Sequence, residues 1–282
     1  MNKSENPLNN FRHKHFKLAY SNLLNVDIAF VVDCTSSMGL YIRKVRQNIR
    51  EIVSDIKENH NGEIRFAFVG YRDHNDGPNR IETLYFTKDV EVFETFVGKI
   101  KARSTGNADF PEDVFGGLEE TIKLNWSYPN RVIFHIADAP QHGTRFHDFS
   151  RRKDNYFDID EPRGVCIENL LSNLKTKNLN YYFGRITKHT DKMIREFQDV
   201  GGKEIVHMVD VKDPNNMFNE VVNAINRTIS AKNCKIIKTK QIHSRMIHPD
   251  LLLWQFCFVL MLTHNDIMVS NNIHCYKENN TV

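Results

Sequence analysis

Asp33, Thr35 and Ser37 alternate directly after an apolar, β-branched run, in the stretch VDIAFVVDCTSSM from Val26 to Met38. A tight turn there brings one carboxylate and two hydroxyls to one point. Such a hard-oxygen set suits Mg²⁺ or Mn²⁺ and suits Zn²⁺ poorly. Asp138 ends another apolar run, RVIFHIA, in the same way, and the stretch from Ser104 to Glu112 offers Thr105 and Asp109 as further oxygen donors. The chemistry this pattern points to is the holding of a divalent cation by loops at strand ends.

The elements that must position these groups follow from periodicity. The run 26–32 reads as a central strand buried on both faces, whose C-terminal end is where open α/β sheets place ligands. Gly39 to Glu58 repeats apolar residues at helical steps. Ile64 to Tyr71 is a second strand. A short polar loop joins it to Ile81–Phe86, which predicts an antiparallel edge strand. Val90 to Lys101 reads as a helix. Another is predicted from near Pro111 to about Leu124, with Glu112 and Asp113 as charges favouring its positive end. Arg131 to Ala137 is a strand, and residues 144–162 are charged, aromatic and irregular. Helices over Arg163–Lys177, Thr190–Val200 and Asn215–Ser230 alternate with strands over Asn180–Ile186 and Lys203–Val209. This alternation predicts an α/β fold: a doubly wound, mostly parallel six-stranded sheet with one antiparallel edge strand. The predicted organisation is an N-terminal arm over 1–25, the α/β domain over 26–230 and a tail over 231–282.

Composition excludes several classes. A net charge of +3 over 282 residues is too small to argue for a nucleic-acid partner. The five cysteines are scattered with no CxxC pair, so neither a zinc site nor a disulfide framework is indicated. The first 25 residues lack the apolar core of a secretory signal, and the expectation is a cytoplasmic protein. The tail carries a basic segment and then LLLWQFCFVLML, well short of the roughly 20 apolar residues a membrane span needs. Membrane contact by the tail is therefore not the expected role. Cys34 reads as a packing residue, His135 as a core residue, and His142 and His147 as structural or solvent-facing. Gly116 and Gly117 are expected to let a helix approach the sheet.

The stretch 26–230 resembles a von Willebrand factor type A domain. The metal-ion-dependent adhesion site of that family opens with D-x-S-x-S; this chain has Asp33-Cys34-Thr35-Ser36-Ser37, and Thr keeps the hydroxyl. NADFPEDVFGGL is similar to the G-G-D-x-P-E-D stretch of hemicentin-like and alpha-kinase-associated A domains, with Asn107 and Ala108 in place of two glycines. Gly70-Tyr71-Arg72-Asp73-His74 and Asp138-Ala139-Pro140-Gln141-His142-Gly143 resemble the same subgroup. The resemblance implies a metal site of Asp33, Thr35, Ser37, Asp109 and Asp138, with Thr105 as the alternative second-loop ligand. It implies Mg²⁺ or Mn²⁺ bridging to an acidic residue of a protein partner, and no catalytic residues.

Two other readings compete. An aspartyl-phosphate enzyme would need D-x-D at the first strand, and Thr35 occupies the position of the general acid. Phosphate-loop, nucleophile-elbow and dinucleotide motifs are not found. The resemblance also admits a recognition part of an alpha-kinase-like protein, a serine/threonine kinase fragment. The 52 residues after 230 are expected to be too few for a kinase domain.

Overall fold

A computed structural model describes residues 22–60, 62–104 and 109–244, with side chains as far as 232 except at residue 60. The N-terminal arm up to residue 21, Thr105 and the apolar segment Leu251–Leu262 lie outside the described residues.

Six strands form one sheet: β1 (Val26–Asp33), β2 (Ile64–Tyr71), β3 (Ile81–Thr87), β4 (Asn130–Ala137), β5 (Asn180–Arg185) and β6 (Val206–Asp210). Their order is β3-β2-β1-β4-β5-β6. Only the edge strand β3 runs antiparallel, pairing Tyr71 with Ile81 and Gly70 with Glu82. The parallel strands β1, β2 and β4 are in register, with Phe30 beside both Phe68 and Phe134. Their C-terminal ends therefore line one rim of the sheet.

Among the described residues there are six α-helices: α1 (Gly39–His60), α2 (Val90–Lys99), α3 (Val114–Lys123), α4 (Ile167–Thr176), α5 (Asp191–Gly201) and α6 (Met217–Ser244), and the first five, with α6 through Met217 to Ile229, pack on the two faces. Alternation along β1 divides the core. Ile28, Phe30 and Val32 join the apolar cluster under α1, α2 and α6, whereas Ala29 and Val31 join the cluster under α3, α4 and α5. Every residue of β1 is buried, as expected of a strand covered on both faces.

Several boundaries differ from the sequence expectation for local reasons. The helix expected near Pro111 begins at Val114, because Glu112 pairs with Gln141 in an isolated bridge and Asp113 becomes the cap. The helix expected from Arg163 begins at Ile167, because Gly164 takes a φ of +78° that no helix accommodates. Strand β6 begins at Val206, after a turn closed by Gly202 at φ +93°. The last helix continues past Ser230 to Ser244; no Gly or Pro interrupts that stretch. Contacts cluster the chain into two units, 1–230 and 231–282. No helix among the described residues is long and apolar enough to cross a membrane.

Candidate metal centre and the histidine cluster beside it

Strand β1 delivers Asp33, fully buried, to the rim. Its Oδ1 accepts hydrogen bonds from the Thr35 backbone N at 2.8 Å and from Thr35 Oγ1 at 2.7 Å. Its Oδ2 is buried and has no hydrogen-bond partner. An unpaired buried carboxylate oxygen is costly. Burial, and next the Asp138 carboxylate within hydrogen-bonding reach, push Asp33 up to about 7, against the pull of the Thr35 hydrogen bonds. Asp138 follows β4 and stays partly exposed. Its carbonyl accepts from Thr187 Oγ1 at 2.7 Å, which ties the loop after β5 to the site. Ser37 sits in a single 3-10 turn after Thr35, with its side chain exposed.

A buried arginine fixes the loops around these groups. Arg72 Nε donates to the Cys34 carbonyl at 3.1 Å and its NH2 donates to the Lys101 carbonyl at 2.8 Å. Its NH1 pairs with Glu82 at 2.7 Å. Cys34 packs so close to Gly70 that a Cβ there would lie 2.8 Å from its sulfur. Burial pushes the Cys34 thiol well above its ordinary range, so it is a packing residue. A Cβ on Gly117 would lie 2.6 Å from the Tyr71 ring; that glycine lets α3 approach β2.

Asp109 comes from the second loop. Its Oδ2 accepts from the Asn155 backbone at 3.1 Å and stands 3.9 Å from His142 Nδ1. Burial raises its pKa, and the charges acting on it are Asp73, His142 and Asp154. Glu112, from the same loop, feels both Asp33 and Asp109. It is buried, its Oε2 has no hydrogen-bond partner, and burial, then Asp33, Asp73, Asp109 and Asp76, lift it well above the usual carboxylate range. Asp113, by contrast, is a helix cap: it accepts from the Gly116 backbone and pairs with Arg80.

Beside this carboxylate pocket lies a buried network from the loops after β2 and β4. His142 is fully buried, with Nε2 2.8 Å from Asp73 Oδ1 and Nδ1 2.7 Å from Asp154 Oδ1. With a carboxylate on each nitrogen, both must donate, so the ring is an imidazolium. Burial opposes that charge, but the bonds to Asp154 and Asp73 prevail and raise His142 to about 9. Asp154 also accepts from Gly143 N, Tyr156 N and His147 Nε2. His147 is thus buried and structural. His135 bridges the Tyr71 and Tyr181 hydroxyls at 2.7 Å on each side, and burial holds it near 3, neutral.

Residues 27–151 match the sequence profile of the von Willebrand factor A domain. The chain carries a von Willebrand factor type A domain. It is 38% identical over 215 residues to the alpha-protein kinase vwkA of Dictyostelium discoideum, covering 73% of this chain and 33% of that protein. The chain thus spans about a third of that relative's length. Among solved structures, the vWF domain of the type V pili tip protein Mfa5 from Porphyromonas gingivalis superposes with a TM-score of 0.46. The identity is 13%, with 73% of this chain and 96% of that one covered. Proximal thread matrix protein 1 from the mussel byssus superposes with a TM-score of 0.45 at 16% identity, covering 71% of this chain and 46% of that one.

The A domain's donor set fits a divalent cation. Asp33 presents a buried oxygen with no partner, Asp138 stands beside it, and the hydroxyls of Thr35 and Ser37 come from the same turn. All are hard oxygens, of the kind Mg²⁺ takes together with retained waters.

Proposed function

We propose that this A domain is a divalent-cation-dependent protein-binding module and not an enzyme. The observation that carries the reading is the buried, unpartnered Oδ2 of Asp33 beside Asp138 at the C-terminal rim of the sheet. Asp33, Thr35, Ser37 and Asp138 hold Mg²⁺ or Mn²⁺. The second loop adds an oxygen from Asp109, as the family resemblance implies, or from Glu112, which the unpaired Oε2 favours. The bound ion supplies a positive centre that an acidic side chain of a partner completes in place of water. The protein's own part is to fix the ligand loops, through Arg72 and the Thr35 hydrogen bonds, and to keep the Asp33 oxygen dry.

A peptide array in which every Asp or Glu position is matched by its Asn or Gln counterpart tests this, probed with the full chain in Mg²⁺ or in EDTA. Binding should require both Mg²⁺ and the carboxylate and should vanish for Asp33→Asn. Equal binding in EDTA, or by the variant, overturns the proposal.

A second reading places the same module as the recognition part of an alpha-kinase-like protein. The 38% identity to vwkA favours it. ATP turnover by the native protein, absent from the purified 282-residue chain, would support that arrangement; a native protein that ends at Val282 would exclude it.

A further inference from the structure

We propose a second metal site, separate from the hard-oxygen pocket, in which Asp73, His74 and His142 bind a borderline divalent ion of the Zn²⁺ class. The GYRDH and DAPQHG stretches supply these residues, and the adhesion-type site uses none of the three. A carboxylate oxygen of Asp73 and one ring nitrogen each of His74 and His142 lie within 4.8 Å of one another. Asp73 Oδ1 and His142 Nε2 are already 2.8 Å apart. Two ligands of a tetrahedral zinc stand about 3.3 Å apart, given bonds of about 2.0 Å. Small shifts of the His74 and His142 rings therefore close the set.

Three observations point to an ion. The His74 side chain is only 7% exposed, yet its Nε2 has no hydrogen-bond partner; Glu161 Oε1 stands 3.9 Å away, too far for one. Its Nδ1 stands 3.7 Å from Asp113 Oδ2, also beyond hydrogen-bond reach, so neither ring nitrogen has a partner. His142 directs its other nitrogen at Asp154. A metal-bound histidine characteristically donates its second N–H to a carboxylate, which fixes the ring and its tautomer. Asp154 is itself saturated, with two hydrogen bonds on each oxygen from His142, Tyr156, Gly143 and His147. It has no lone pair left for a metal, which assigns it to the orienting role and excludes the alternative grouping of Asp109, His142 and Asp154. The grouping of His74, Asp113 and Glu161 is excluded on other grounds, since Arg80 and Arg163 already neutralise those carboxylates.

Binding exchanges one cation for another. The proton between His142 Nε2 and Asp73 Oδ1 leaves to solvent, and the ion takes its place between the same two atoms. Two imidazoles and one carboxylate select zinc-class ions over Mg²⁺, so the two sites divide the available metals by ligand softness.

The test uses the full chain, stripped of metal by a chelator and then titrated with Co²⁺ in excess Mg²⁺. The expected result is one equivalent of Co²⁺ with visible d–d absorption, release of about one proton per ion, and displacement by Zn²⁺. His142→Gln can fail to fold, so the deciding variant is His74→Ala, whose ring makes no side-chain hydrogen bond. The absorption should be lost in His74→Ala and kept in Asp33→Asn, with the circular dichroism of both matching wild type. No d–d absorption in wild type, or absorption that survives His74→Ala, overturns the second site. Absorption lost in Asp33→Asn but kept in His74→Ala assigns the ion to the first site and also overturns it.

Discussion

Two aspartates on one strand, both fully buried, are treated in opposite ways. Asp27, near the N-terminal end of β1, receives Arg65 Nε and NH2 at 2.7 Å each and the backbone N–H groups of Ser127 and Tyr128 at 2.8 Å each. Its Oδ1 accepts one of these bonds and its Oδ2 three, so neither oxygen is left unpaired. Asp33, at the other end of the same strand, has one oxygen bonded to Thr35 and the other to nothing. A saturated buried carboxylate ties elements together, whereas an unsaturated one is held ready for a ligand. On the proposed reading, the difference gives stability to one end of the sheet and binding to the other, in line with the general rule for open α/β sheets.

The contrast can be broken most forcefully at Asp27. Asp27→Ala strips Arg65 of its buried partner and leaves two backbone N–H groups unpaired; the expected loss is about 3–5 kcal/mol in urea unfolding. The next effect is a pH dependence in metal-free buffer. His142 is lifted from 6.5 to about 9 in the folded chain. Its contribution is therefore fully present below pH 6.5 and is lost as pH rises through 9. That loss is on the order of 3 kcal/mol, and His142→Gln should flatten that part of the stability–pH curve. Smaller still is Asp33→Asn. It replaces a carboxylate that burial already holds near 7 and keeps an acceptor for Thr35, so metal-free stability should change by about 1 kcal/mol or less, in either direction, even though the residue is as buried as Asp27. Least of all is Ser37→Ala. Its exposed side chain should move stability by no more than about 0.5 kcal/mol, with the cost appearing as weaker Mg²⁺ affinity in a calorimetric titration.

Much of this was legible in the residues alone. Parallel strands buried on both faces read as apolar runs, so β1, β2 and β4 and the antiparallel β3 follow from the sequence, and Asp33 and Asp138 are placed by the strand ends they terminate. Glu112 was not legible. Pro-Glu-Asp before an apolar run reads as the first turn of a helix, and only the bridge to Gln141, made by a distant loop, holds Glu112 outside the helix and inside the pocket. The histidine cluster was hidden for the same reason. Residues 144–162 have no period, and His142 meets Asp73 across 69 positions of sequence. The bare signal was the density of His and Asp in two loops leaving neighbouring strand ends.

The central claim is that Asp33 is kept unpaired for a metal. Thermal melts of the full chain, with EDTA or with millimolar Mg²⁺ or Mn²⁺, test it most directly in wild type and Asp33→Asn. Metal bound only by the native state must stabilise it, by about 2–3 kcal/mol at a hundredfold excess over Kd. The account predicts a rise in Tm with metal in wild type and none in Asp33→Asn, with His74→Ala responding to Mg²⁺ as wild type does. A wild-type Tm that is the same with and without Mg²⁺ or Mn²⁺, or a rise that persists in Asp33→Asn, would contradict it.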